Sequence, residues 1–152
     1  MIIPEILEEI TTHHLQGKSI GLCHGCFDIV HCGHIQHFEY AKTYVDLLIV
    51  SITADSYVNK GPNRPVFSTH ERIQLLSNIA LIDYTIICNY PTAVPVMKQL
   101  PFDIYFKGID YKYSQDSRLQ DEHKALKINQ SIVYTPTPKY SSTKALAAFN
   151  LI

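Results

Sequence analysis

Residues 19–41 read SIGLCHGCFDIVHCGHIQHFEYA, and this stretch decides the fold. Ser19-Ile20-Gly21-Leu22-Cys23 is short and mostly apolar and is bounded by Gly17-Lys18 and Gly25, which describes a buried strand. Ile35, Phe38 and Ala41 then recur at helical spacing, predicting a helix from about Gly33 to Thr43. Between them lies a strand–loop–helix turn. At such a turn the free N–H groups of the helix start point outward with the positive end of the helix dipole, and glycine allows a phosphate oxygen to approach the backbone. Gly25 and Gly33 meet that need. His31 and His34 are three apart, which puts both imidazoles on one helical face within reach of one polyphosphate.

The rest of the chain alternates in the same way. Pro4 suits a first helical turn, and the stripe of Ile6, Leu7 and Ile10 predicts a leading helix over about 4–16. Leu47 to Ile52 is a continuous apolar run of the kind found in parallel strands covered on both faces. Ser68 and Glu71 form a capping box for a helix reaching about Ile79. Strands at Tyr84 to Cys88, Asp103 to Phe106 and Ser131 to Tyr134 are separated by helices near 94–99 and 119–128, and a last helix starts near Ser142. This pattern predicts a single α/β domain, a doubly wound parallel sheet that binds ligands at the carboxyl ends of its strands.

The 152 residues suffice for one core without staples. With 46% hydrophobic residues and a net charge of −1, the chain is neither disordered in composition nor basic enough for a nucleic-acid binder. A small anionic ligand is the expected partner. The acidic N-terminus shows no basic leader, and no apolar run approaches membrane-spanning length, so a cytoplasmic protein is expected. The four cysteines are then expected as free thiols. Cys23, Cys26, His31 and His34 mimic a zinc pattern, but four residues between Cys26 and His31 are far fewer than the roughly twelve that let a finger close. No dedicated metal ligands are expected.

His-x-Gly-His behind Gly-x-Phe-Asp resembles the signature of the cytidylyltransferase-like nucleotidyltransferases. The resemblance runs from about Lys18 to Leu146 and takes in Thr53-Ala54-Asp55, Lys60-Gly61, Arg64-Pro65-Val66, Arg72, Lys107-Gly108-x-Asp110-Tyr111 and Ser141-Ser142-Thr143. The Lys-Gly-x-Asp-Tyr run is more similar to the heptose-phosphate adenylyltransferase and sugar-phosphate branch than to the glycerol-phosphate branch. Pro136-Thr137-Pro138-Lys139 stands where the latter carries Arg-Thr-Glu-Gly.

The resemblance implies a Rossmann-like domain that joins a nucleoside triphosphate to a phosphorylated small molecule and releases pyrophosphate. It favours ATP over CTP and a sugar phosphate over a polyol phosphate or phosphonate. It implies catalytic roles for His31, His34, Lys60 and Arg64. Nucleotide contacts fall to Gly25, Cys26, Phe27, Gly33, Lys107, Gly108, Asp110, Ser141, Ser142 and Thr143, and substrate contacts to Asp28, Asp55 and Arg72. Mg²⁺ bridging the triphosphate and a homodimer are also expected. A non-catalytic nucleotide sensor and a zinc-stabilised interaction module are the alternatives from other classes.

Overall fold

The computed structural model describes residues 2–136 and 141–149; the stretch Thr137 to Tyr140, in which most of the Pro136–Lys139 run falls, lies outside them. Five parallel strands, β1 (Ile20–Gly25), β2 (Leu47–Thr53), β3 (Tyr84–Cys88), β4 (Ile104–Gly108) and β5 (Ser131–Thr135), form one sheet in the order β3-β2-β1-β4-β5. The helices are α1 (Pro4–Leu15), α2 (Cys32–Lys42), α3 (Thr69–Ser77), α4 (Val94–Gln99), α5 (Ser117–Ala125) and α6 (Ser142–Ala148). Strand order reverses direction between β1 and β4, the switch point where doubly wound sheets open a crevice. The expected architecture is therefore observed.

Alternation along the strands sorts side chains into two cores. Ile20, Leu22, Ile49, Ile86 and Tyr105 pack with Ile10 of α1 and Val96, Met97 and Leu100 around α4. Cys23, Leu48, Val50, Ile52 and Phe106 pack on the opposite face with Phe38 and Ala41 of α2 and Leu76 of α3. Burying one fully apolar side chain stabilises by about 1.5–3 kcal/mol, so both layers contribute to holding the sheet between them.

The two ends of the sheet differ. At the amino edge, a residue pattern of apolar-Asp-strand recurs at Val45-Asp46, Ile82-Asp83 and Phe102-Asp103, and each carboxylate caps a neighbouring strand. Asp46 accepts from the Ser19 N–H at 2.8 Å, Asp83 from Leu48 at 2.7 Å and Asp103 from Ile20 at 2.7 Å. These aspartates satisfy strand-end donors that have no ladder partner and close this edge. The carboxyl edge is left open for a ligand.

Local differences from the expectation are informative. β1 runs on through His24 and Gly25, and β4 continues through Lys107 and Gly108, so those residues belong to strands and not to the loops after them. Short 3-10 turns at Asp55–Tyr57 and Ile109–Tyr111 follow β2 and β4. The Ser68/Glu71 capping box forms as expected, with the Ser68 hydroxyl accepting from the Glu71 N–H.

Gly21 allows Phe106 of β4 and Val45, which follows α2, to pack directly on β1. A Cβ there would meet Phe106 at 2.7 Å and the Val45 side chain at 2.9 Å. Gly21→Ala should therefore destabilise by about 1–3 kcal/mol through overpacking, measured by urea denaturation; an unchanged midpoint would show that the Phe106 ring yields freely.

Candidate active site

A cavity of about 420 Å³ opens at the carboxyl edge of the sheet, over the ends of β1 and β4. That volume suits a ligand of nucleotide size. Its floor is the β1–α2 loop. Phe27 takes a left-handed conformation (φ 50°) and turns its ring back onto His34 and Phe38, with centroids 5.2 and 5.4 Å away. Gly25 lies beneath this ring: a Cβ would meet Phe27 at 3.0 Å, so the glycine is required by the loop itself. Gly33 is buried in the first turn of α2.

His31 and His34 stack face to face at 3.9 Å, 22° from parallel. The His31 N–H donates to His34 Nδ1 at 3.2 Å, so the remaining proton of a neutral His34 sits on Nε2. Burial, with His31, His37 and Lys60 nearby, lowers the His34 pKa to about 3, and burial with Lys60 lowers that of His31. Both rings are neutral at physiological pH. As neutral rings they can serve as N–H donors at the positive end of α2.

Lys60 lines the cavity from the loop after β2 and acts on both histidines through its charge. Lys107 lines it from β4, its ammonium 3.2 Å from Glu122 and over the rings of Tyr105 and Tyr111 at 5.2 and 5.3 Å. Glu122, on α5, is 3% exposed and also accepts from the Tyr105 hydroxyl at 2.9 Å and the Ala93 N–H at 3.1 Å. Burial would raise its carboxyl, but Lys107, His24 and these donors bring the net pKa down, so it stays ionised. Glu122 and His24, which bonds Ser51 and Thr53 through its two ring nitrogens, were not singled out from the sequence. The only signal for Glu122 was a carboxylate on the inner face of a polar helix.

Cys26, Gly108, Asp110, Ser141, Ser142 and Thr143 also line the cavity. Asp110 folds back over Gly108, where a Cβ would meet its carboxylate at 2.6 Å. The Ser141 hydroxyl caps α6 by accepting from the Lys144 N–H.

Four expected ligands have other work. The Asp28 carboxylate is buried and accepts from Val66 N–H, Phe67 N–H and Arg64 Nε at 2.8, 2.9 and 2.7 Å. Burial would raise its pKa; the two backbone donors and the guanidinium outweigh that and lower it. The rest of the buried Arg64 guanidinium donates to Thr143 Oγ1 at 2.6 Å and Ser142 Oγ at 3.3 Å. Arg72 is 1% exposed and bonds the carbonyls of Cys26, Thr53 and Phe67, and Asp55 is its ion-pair partner at 2.6 Å. Asp28, Asp55, Arg64 and Arg72 thus all have protein partners; Asp28 also lines the cavity, and the Asp55 side chain is partly exposed. For the buried Asp28, Arg64 and Arg72 these partners are what makes an ionised group stable inside the protein.

Cys23 is buried in β1, and burial holds its thiol protonated well beyond the ordinary range. Among the described residues, no group of three His, Cys, Asp or Glu side chains is placed to hold a metal ion, and no helix is long and apolar enough to cross a membrane.

Comparison with known proteins fits this geometry. The family model described as cytidylyltransferase-like matches residues 22–148. The chain belongs to the cytidylyltransferase-like family. It is 32% identical over 110 residues to the bifunctional protein HldE of Magnetococcus marinus, covering 71% of this chain and 23% of that protein. It is 34% identical over 131 residues to HldE of Helicobacter pylori, covering 79% and 28%. The chain thus spans about a quarter of the length of these curated relatives. Among solved structures, the lipopolysaccharide core biosynthesis protein of Thermoplasma volcanium superposes with a TM-score of 0.68 at 27% identity, covering 81% of this chain and all of that one. Pantoate-beta-alanine ligase of Francisella tularensis, at 18% identity and TM-score 0.62 over 91% of this chain and 66% of that one, shares the fold.

The Asp28–Arg64 pair should be structural. Arg64→Ala leaves a buried carboxylate without its cation and is expected to cost about 3–5 kcal/mol in chemical denaturation; a loss under about 1 kcal/mol would contradict a structural role for the pair.

The neutral histidines set a pH dependence. His24, His34 and His37 have folded pKa values of about 4, 3 and 4, below the ordinary 6.5. Above pH 6.5 neither state binds these protons. Between 6.5 and about 4 the unfolded chain binds more, so stability must fall as pH drops. The rings line an open cavity, which discounts the effect to on the order of 1 kcal/mol per histidine by pH 5. Melting temperature measured from pH 7.5 to 5 should decline accordingly, and a flat profile would contradict the assignment.

Proposed function

We propose that the protein transfers a nucleotide from a nucleoside triphosphate to a phosphorylated small molecule, releasing pyrophosphate. The observation that supports this most directly is the stacked His31/His34 pair, with His34 held as an Nε2–H donor at the start of α2 on the cavity floor. In this reading an oxygen of the acceptor phosphate attacks the α-phosphorus, the bond from that phosphorus to the β-phosphate bridging oxygen breaks, and pyrophosphate leaves with the electron pair. The nucleophile belongs to the substrate, and a phosphate monoester is already ionised near neutral pH. Catalysis then rests on alignment and on stabilising the charge that moves to pyrophosphate. His31 and His34 donate to phosphate oxygens as that charge grows, and Lys60 supplies a mobile cation beside them. Arg64 and Asp28 position Ser142 and Thr143 without touching substrate. The nucleotide enters as its magnesium complex, held chiefly through phosphate oxygens and water.

The similarity of the Lys107-Gly108-Ile109-Asp110-Tyr111 run to the heptose-phosphate adenylyltransferase branch supports ATP as donor and a sugar phosphate as acceptor. Cytoplasmic location and a homodimer belong to the same reading.

The test is a matrix of four nucleoside triphosphates against sugar phosphates, polyol phosphates and phosphonates, with and without Mg²⁺, read as pyrophosphate release. The expected result is Mg²⁺-dependent turnover with ATP and a sugar phosphate. His34→Ala and His31→Ala should each lower it by about 10²–10³, the scale for losing one preorganised donor, with unchanged circular dichroism. Near-normal turnover in both variants would sink the mechanism.

A further inference from the structure

Lys60 and Lys107 both line the cavity, but they are held differently. Lys60, after β2, acts through its charge on Cys26, His31 and His34, and it forms no ion pair among the described residues. Lys107, in β4, acts on His24, His37 and Asp116, which places it on the other side of the cavity, toward α5. Its ammonium is 3.2 Å from the Glu122 carboxylate, and the two side chains are 11% and 4% exposed. The Tyr105 hydroxyl and the Ala93 N–H donate to the same carboxylate and fix its position. Arg118, at the start of α5, also lines this side and is paired with Asp116 at 2.6 Å.

Each of these α5-side cations thus carries its own carboxylate. Opposite unit charges a few ångströms apart nearly cancel at the distance of a bound ligand, so these pairs offer a polyphosphate little net attraction. A phosphate set against Lys107 would also bring its charge close to the buried Glu122 carboxylate. What remains is directional: an ammonium carries three N–H donors, and one carboxylate does not use them all. Donors without net charge suit uncharged oxygens. The Tyr111 ring, 5.3 Å from the ammonium, and the Leu119 side chain add apolar surface on the same side. A pinned donor beside an aromatic ring suits a sugar, whose hydroxyls need directed partners and whose C–H groups need apolar ones.

We propose that the α5 side of the cavity is a sugar subsite, in which Lys107 donates to a sugar hydroxyl and Glu122 is the positioning residue that holds the ammonium and cancels its charge. This rests on the reading of the cavity as the site of nucleotide transfer to a phosphorylated sugar. That reaction brings two sugars to the cavity, the ribose of the nucleotide and the sugar of the acceptor. The phosphates of both are left to His31, His34 and Lys60.

The test compares ligands with and without their sugar. The double variant Lys107→Met/Glu122→Gln replaces the ion pair by neutral groups of similar volume, an exchange that buried pairs often tolerate. Dissociation constants are measured by calorimetry for the magnesium complexes of ATP, 2′-deoxy-ATP, 3′-deoxy-ATP and inorganic tripolyphosphate, with thermal melts alongside. Glucose, mannose and galactose 1-phosphates are then compared with inorganic phosphate on protein saturated with α,β-methylene-ATP, whose α–β bridge does not break. Tripolyphosphate and inorganic phosphate should bind wild type and variant within about twofold of each other, whereas a sugar-bearing ligand should lose about tenfold, the worth of one hydrogen bond. A loss for ATP that one deoxy analogue escapes assigns the subsite to the ribose, and a loss for a sugar 1-phosphate assigns it to the acceptor. If the double variant does not fold, Lys107→Gln, which keeps an N–H for Glu122 and gives up the reach of the ammonium, is read by the same ratios. Equal losses for the bare phosphates, a loss for ATP that both deoxy analogues share in full, or no loss for any ligand overturns the sugar subsite while leaving nucleotide binding intact. Failure of wild type to bind ATP or tripolyphosphate at all overturns the transfer reading, and this proposal with it.

Discussion

The site depends on one buried ion pair. Asp28 is buried in the β1–α2 loop at the cavity, where an unneutralised carboxylate would be costly to desolvate. Its charge is taken up by Arg64 and by two backbone N–H groups. The same guanidinium reaches Ser142 and Thr143, so the loop after β1, the loop before α3 and the start of α6 meet at one planar fork. Lysine has no such fork and could not hold three elements at fixed angles. The pair thus fixes the geometry of the cavity that Asp28, Ser142 and Thr143 line.

A second constraint comes from the sheet. Asp46, Asp83 and Asp103 cap strand ends at the amino edge, and His24, Lys107 and Thr135 stand near the carboxyl edge. Arg72 ties this edge to α3 by binding carbonyls from three segments, with Asp55 balancing its charge. Capped at one end and open at the other, the sheet has a single place where strand-end groups from β1, β4 and β5 converge. That place is also the switch point in strand order, so topology and local chemistry select the same crevice.

What was legible in the sequence follows from the range of the interactions. The strand–loop–helix turn at His31 and His34, the alternation of elements and the Ser68/Glu71 capping box are encoded within a few residues, and pattern reading recovered them. The protein partners of Asp28, Asp55, Arg64 and Arg72 were not legible, because charge type is visible in sequence and pairing with a distant residue is not. Arg64 finds Asp28 and Thr143 across the fold, and nothing near Arg64 in the chain announces either. Glu122 was missed for the same reason: its partners Tyr105, Lys107 and Ala93 lie on other elements. The Val45-Asp46, Ile82-Asp83 and Phe102-Asp103 pattern was present in the sequence but gains meaning only when the strands are set side by side.

His24, His34 and His37 line the cavity as neutral rings near neutral pH. A protonated imidazole in this cavity would face Lys60 and Lys107, and burial would add to its cost, which is why the pKa values of His34 and His37 lie so low. Neutral rings escape that cost and still act directionally, since each carries one donor and one acceptor whose positions the backbone decides. At His34 a main-chain N–H takes the acceptor at Nδ1 and leaves Nε2–H as the donor. The stacked His31/His34 pair therefore gives the cavity a directed N–H whose orientation the start of α2 fixes, with no added charge to desolvate.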